Sequence, residues 1–336
     1  MEKVKNPLIT ISILFLFILV SSCSKVEQKN VNSKPIKISA DIFPGYAYIF
    51  IAKEKGLFKK NGVDVEVVLN QDYLVSQKNF VDGIVDGVFS VYADAISASD
   101  QGVPLKVVCL RDQSIKGDII VARPEITRLE DLKGKKIGVE GINSFSHLFV
   151  LSVLKKHGIN EGDVFFANIG AQHLVEAIEK GEVVAGHTYG AGITHSKEKG
   201  YNSLAYAGEV QGIITDVLVF NTKVIQERPE DIKKIVKSLF EALEFQKTNR
   251  EEASQIIARA IGDTPQSVVE GIDSLKNFDL KESAEAMRPS EELTNLFGSG
   301  KLISEFFINR GQSSTPPDLN KIIDNSFVEQ LLKEQK

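Results

Sequence analysis

From Pro35 onward, short runs rich in Val and Ile trade places with stretches of helical periodicity. Ile36 to Asp41 reads as a strand, and Tyr48 to Lys60 as a helix. Val63, Val65 and Val67 alternate within a second strand, Val63 to Leu69. A short helix around Leu74 to Val81 follows, then the strand Gly87 to Val91, another helix and the strand Leu105 to Leu110. Strand–helix alternation predicts an α/β fold with a parallel-type sheet and helical crossovers. In such sheets, function gathers in loops at the carboxyl ends of the strands.

The pattern then repeats. Lys37-Ile38-Ser39-Ala40-Asp41 opens a strand, loop and helix that close at Lys59-Lys60-Asn61-Gly62-Val63. Lys136-Ile137-Gly138-Val139-Glu140 opens a second set that closes at Lys155-Lys156-His157-Gly158-Ile159. Gly83 to Gly87 leads into Val88-Phe89-Ser90, as Gly181 to Gly186 leads into His187-Thr188-Tyr189. Each pair is separated by a little under 100 residues and keeps its order. Two similar α/β lobes explain this most simply, and chance similarity of glycine-punctuated sequence is the alternative. Beyond them, Ile213 to Phe220 reads as a strand, and helices dominate to the end. Pro229 suits a first helical position, and Ile232, Ile235, Val236, Leu239 and Leu243 form one face. This tail has no core pattern of its own and is expected to pack on the first lobe.

Composition narrows the class. The chain has 336 residues, 43% hydrophobic and 25% charged, which excludes collagen-like, disordered and disulfide-scaffold classes. Its net charge of −5 comes without a long run of either sign, so a nucleic-acid partner is not expected. The five histidines and two cysteines show no metal spacing, so neither metal nor cofactor is expected. Cys109, among Leu105, Val107, Val108 and Leu110, reads as a buried strand residue. Cys23 has another context. Lys3 and Lys5 precede the apolar stretch Leu8 to Val20, which is shorter than the roughly 20 residues of a membrane span. Val20-Ser21-Ser22-Cys23 resembles a bacterial lipobox. That resemblance implies a signal peptide over 1–22, a lipidated Cys23 and a polar tether over 23–35. An ordinary signal with an incidental cysteine is the alternative.

Several blocks carry a family resemblance. Pro44-Gly45-Tyr46 is followed by Ala52 to Lys60 (AKEKGLFKK) and Gly62 to Glu66 (GVDVE). Gly102 to Val108 (GVPLKVV), Leu129 to Val139 (LEDLKGKKIGV) and Arg228-Pro229-Glu230 complete the set. Together they resemble the nitrate/sulfonate/taurine class of bacterial solute-binding proteins, which also contains thiamine-precursor binders. The resemblance covers roughly Ile36 to Arg259. It implies a type II periplasmic-binding-protein fold, with lobe one over 36–118 plus 218–336 and lobe two over 119–217. Two crossover strands would join them, and ligand would bind in the cleft between. It also implies a monomer that serves the permease and ATPase subunits of an ABC importer, held at the membrane by its lipid. Two departures stand out. Val184-Ala185 replaces the usual aspartate-alanine pair, and the chain has no tryptophan.

The cleft candidates follow corresponding strands. Phe43, Gly45 and Tyr46 offer a close backbone and flat rings. Ser90, Tyr92 and Asp94 stand at a helix start, where Asp94 would hold a ligand amine or merely stabilise the first turn. Asn143, Ser144 and Ser146 offer an oxyanion site at a helix start or ordinary caps. His187, Thr188 and Tyr189 match Ser90 in the repeat. Asp118 and Asp216 flank the crossover strands as ligand contacts or hinge residues, and Arg111 and Lys116 would favour an anion if they faced the cleft. Two ligand classes stay open: a sulfonate or taurine-like solute at Ser144 and Ser146, or a planar heterocycle (a thiamine pyrimidine or riboflavin) stacked on Tyr46, Tyr92 or Tyr189. A ligand-sensing subunit of a signalling receptor would share the cleft. The fungal thiamine-pyrimidine synthases share the implied fold but carry a cysteine-rich motif missing here, so no catalytic residue is expected.

Overall fold

In the computed structural model, residue 1 and residues 34–335 are described. The expected signal segment, Cys23 and the tether through residue 33 lie outside them. Eleven strands occur among the described residues. They are β1 (Ile36–Ala40), β2 (Val65–Leu69), β3 (Gly87–Val91), β4 (Leu105–Ser114), β5 (Asp118–Ala122) and β6 (Lys136–Val139), then β7 (Phe165–Asn168), β8 (Ala185–Tyr189), β9 (Asn202–Tyr206), β10 (Thr215–Asn221) and β11 (Leu275–Asn277). They form two sheets, ordered β11-β4-β10-β3-β1-β2 and β7-β6-β8-β5-β9.

The repeat is visible in the pairing. β1 runs parallel to β2 and β3, as β6 runs parallel to β7 and β8. Each sheet then receives one antiparallel strand from chain that has just left the other. β5 follows β4 into the second sheet, against β8, and β10 follows β9 back into the first, between β3 and β4. These two strands make the sheets mixed, where alternation alone suggested a parallel type. The chain changes sheet at 115–117 and again at 207–214, so Asp118 opens β5 in the second sheet and Asp216 sits in β10 in the first. β3, β5 and nearly all of β10 are buried, as expected for apolar strands covered on both faces.

Local differences from the sequence reading have local causes. The helix expected over Tyr48 to Lys60 breaks into Tyr48–Glu54 and Leu57–Lys60, because Gly56 takes φ +66°. β4 extends four residues past Leu110, into polar positions that become buried. β11, unforeseen in a helical tail, adds to the edge of β4. The tail does pack on the first lobe. The helix Pro229–Thr248, whose buried face includes Ile232, Ile235, Val236, Leu239 and Leu243, lies against Tyr48–Glu54. Helix Leu296–Asn309 lies against Tyr92–Asp100.

Candidate ligand-binding cleft

The walls of the cleft are built where strands end. After β1, the buried Asp41 accepts a hydrogen bond from the Phe43 backbone N–H through Oδ1 (2.8 Å), which turns the chain into the Pro44–Tyr46 turn. Gly45 is required there by space. A Cβ would stand 2.6 Å from Asp112 Oδ2 and 2.7 Å from the Phe43 ring. Tyr46 lies stacked on Phe89, with centroids 5.3 Å apart, and its hydroxyl donates to Asp216 Oδ1 at 2.7 Å. A register shift beside Asp216 in the β10–β4 ladder marks a bulge, a feature that re-aims side chains. Tyr73 donates to Asp94 Oδ2 (2.8 Å) and accepts from the Val91 N–H (3.1 Å).

The second lobe supplies the facing wall. Tyr189 donates to Glu140 Oε2 at 2.8 Å. His187 is fully buried, with Nε2 paired to Asp118 Oδ1 (2.9 Å) and Nδ1 to Ser146 Oγ (2.8 Å). Rings meet across the two lobes: Phe43 edge-on to Tyr189 at 6.0 Å, and Tyr73 edge-on to Phe145 at 5.5 Å.

Two cavities result. An outer cleft of about 890 Å³ opens between the lobes, with Lys116, Gln172, His195 and Tyr206 among its walls. Behind it lies a cavity of about 20 Å³ lined by the rings of Phe43, Tyr46, Tyr73, Phe145 and Tyr189. Asp41, Asp118 and Asp216 complete that inner wall, together with Val91 and Ile214. Asp41, Phe43, Tyr73 and Tyr189 face both spaces.

The electrostatics are one-sided. Burial pushes the carboxyl of Asp41 up to about 7 and that of Glu140 to about 8. Burial likewise raises Asp94 to about 6, against the pull of its Tyr73 bond. Asp112 and Asp216 are register partners on β4 and β10. Burial raises both, and the neighbouring Asp112 charge lifts Asp216 further, so the pair resists carrying two charges. Arg111 is not among the cavity walls, and its charge only partly offsets the burial of Asp112. Its guanidinium lies between the Tyr48 and Phe240 rings, 5.4 and 5.0 Å from their centroids.

A sequence profile of the family described as NMT1/THI5 like matches residues 44–253. The chain belongs to the NMT1/THI5-like family. Among relatives of this NMT1/THI5-like protein, the taurine-binding periplasmic protein of Escherichia coli K12 is 27% identical over 150 residues, which is 44% of this chain and 46% of the relative. The aligned stretch thus spans less than half of that protein. The riboflavin-binding protein RibY of Chloroflexus aurantiacus is 24% identical over 84% of this chain and 82% of its own. In structure, the chain is similar to the alkanesulfonate-binding protein SsuA of Xanthomonas axonopodis pv. citri, bound to MOPS. That similarity has a TM-score of 0.72 at 15% identity, over 88% of this chain and all of the other. The fold is that of the periplasmic binding proteins.

The NMT1/THI5-like cleft gathers some of the expected residues and not others. Phe43, Tyr46, Tyr189 and Asp216 line the inner cavity, while Gly45 stands behind Phe43 against Asp112. Asp94 and His187 sit one layer back and hold Tyr73 and Asp118. The oxyanion cradle expected at Asn143, Ser144 and Ser146 is not open. Ser144 caps helix Phe145–Lys156 by accepting from the Ser146 N–H and donates to the Glu140 and Gly141 carbonyls at 2.7 Å. Ser146 Oγ accepts from the Glu140 N–H and pairs with His187. Asn143 takes φ +69° and is bonded by Arg310, away from the cavity walls. Ser90 bonds the Val91 carbonyl. Tyr92 turns into the first lobe beside Gly300, because helix Tyr92–Asp100 starts with that side chain facing its core.

Asp41, Tyr73, Phe145 and Glu140 were not singled out from sequence. Asp41 and Glu140 had a signal. They end the two matching strand openers, Lys37 to Asp41 and Lys136 to Glu140, at the same place in each repeat.

Proposed function

We propose that this NMT1/THI5-like protein is an exported solute-binding protein of an ABC importer, lipid-anchored through Cys23, that captures a small organic solute as its two lobes close. In this reading, lobe one comprises about 36–118 plus 218–336, lobe two comprises about 119–217, and catalysis plays no part. The observation that carries the reading is the inner cavity, whose ring walls come from both lobes: Phe43, Tyr46 and Tyr73 from one, Phe145 and Tyr189 from the other. A solute that lies in the outer cleft and places one group there touches both halves and so favours the closed state. The family and the periplasmic-binding-protein fold support the same role.

Ser144 and Ser146 are already bonded within the chain, which weighs against a bare sulfonate there. Phe43, Tyr73 and Tyr189 also line the 890 Å³ cleft and offer rings to a planar heterocycle in that larger space. Thermal unfolding of the purified protein against alkanesulfonates, taurine, nitrate, thiamine, pyrimidine precursors and riboflavin tests this. A solute at about 100 times its dissociation constant stabilises by roughly 2.7 kcal/mol. Chemical conversion of a solute by the protein, or a melting temperature indifferent to every compound, would sink the reading.

A further inference from the structure

We infer that the inner cavity holds a cationic nitrogen head group carrying N–H donors, with the rest of the solute in the outer cleft. This deepens the solute-capture reading and rests on it. Three carboxylates face the cavity, each buried to 2% exposure or less. In each, one oxygen is committed and so fixes the side chain. Asp41 Oδ1 takes the Phe43 N–H, Asp118 Oδ1 pairs with His187, and Asp216 Oδ1 takes the Tyr46 hydroxyl. The other oxygen of each, Oδ2, is buried and has no partner at hydrogen-bonding geometry among the described residues, although the Asp112 carboxyl lies close to that of Asp216. Three acceptors without donors in one small space are costly unless something supplies protons.

Among the described residues, no Lys or Arg lines that cavity. Its remaining surface is mostly ring, and aromatic faces attract a cation. The volume, about 20 Å³, accommodates one group the size of a water molecule, which is the size of an ammonium or amino group. Four residues are common to this cavity and the 890 Å³ cleft, so a head group seated inside continues into space large enough for a body. An anionic head would crowd three carboxyl groups that already resist ionising together, with no Lys or Arg among the described walls to offset it.

The test is calorimetric binding to matched pairs that differ in a single amino group: taurine against isethionate, benzylamine against benzyl alcohol, phenethylamine against 2-phenylethanol. The amino member of at least one pair should bind at least tenfold more tightly. Asp41→Asn keeps the acceptor for the Phe43 N–H and should weaken that binding at least tenfold. The melting temperature of the free variant should rise, because an uncompensated buried acid has been neutralised. Asp216→Asn, read the same way, guards against a fold defect in the first variant. Equal affinity within every pair, binding by neither member of any pair, or an Asp41→Asn protein that binds like the parent would overturn the inference. An amine-free solute that binds at least as tightly as its amino partner in every pair would leave solute capture standing while removing this head group.

Discussion

Arg310, just past the C-terminal end of helix Leu296–Asn309 in the first lobe, grips Glu161 in the second, with Nη1 donating to Oε2 at 2.8 Å and Nη2 to Oε1 at 2.5 Å. Its Nε donates to Asn143 Oδ1, and the guanidinium lies 5.1 Å from the Phe306 ring. The contact joins the lobes away from the residues that line the cleft, and separation of the lobes would break it. Arg310 is 18% exposed at its side chain and Glu161 47%, so the pair is worth no more than about 1 kcal/mol. Arg310→Ala should therefore weaken solute affinity by a factor of about 2–5 and enlarge the free protein in small-angle scattering. Unchanged affinity and dimensions would mean that the pair does not bias closure.

The His187–Asp118 pair makes a sharper prediction. Both side chains are buried to 3% exposure or less, and His187 also orients Ser146. His187→Ala leaves Asp118 without its partner, which should cost on the order of 3 kcal/mol in denaturant unfolding. A loss under about 1 kcal/mol would show that Asp118 finds compensation elsewhere.

Stability should fall as pH rises. Asp41, Asp94, Asp112 and Glu140 hold protons in the folded state that the unfolded chain releases above its ordinary values of 3.8 and 4.5. Their stabilisation is complete below those values and is lost progressively up to about 6 for Asp94, 7 for Asp41 and Asp112, and 8 for Glu140. His147 acts in the opposite sense. Burial lowers it to about 4, so it costs stability as pH drops below 6.5. The window from pH 6.5 to 8 isolates the carboxylates, and the melting temperature of the free protein should decline across it. A flat or rising curve would count against their burial.

Ser144→Ala separates capping from binding. The residue caps helix Phe145–Lys156 and stands off the cavity walls, so its loss should cost about 1 kcal/mol of stability and leave solute affinity unchanged. Weaker binding at full stability would restore the anion site.

Gly45→Ala should do the reverse of a surface change. The new methyl group would press on Asp112 and the Phe43 ring, displacing an inner-cavity wall. Solute affinity should fall at least tenfold and the melting temperature should drop, both read on one protein sample. An alanine accommodated with neither change would mean that the Pro44–Tyr46 turn shifts freely.

What the sequence determined by itself follows from periodicity and repetition. The strand Gly87 to Val91, the Pro229 helix and the two matched lobes were legible because each depends on neighbours a few residues away. The rings at Phe43, Tyr46 and Tyr189 were legible because they follow strand ends in an α/β pattern. Tertiary structure alone decided the rest. β5 and β10 become antiparallel because the chain passes between sheets, and no local pattern records which sheet a strand joins. Tyr92 and Ser146 share the sequence context of cleft residues, yet helix orientation turns one into the core and a hydrogen bond binds the other to His187. The acidity of the cavity depends on Asp41, Asp118 and Asp216, which lie 77 and 98 residues apart along the chain. Acidic residues occur throughout the chain, and nothing in their local sequence marks these three as one group. Only folding brings these three together with one oxygen each left over, because burial and pairing are properties of the assembled walls.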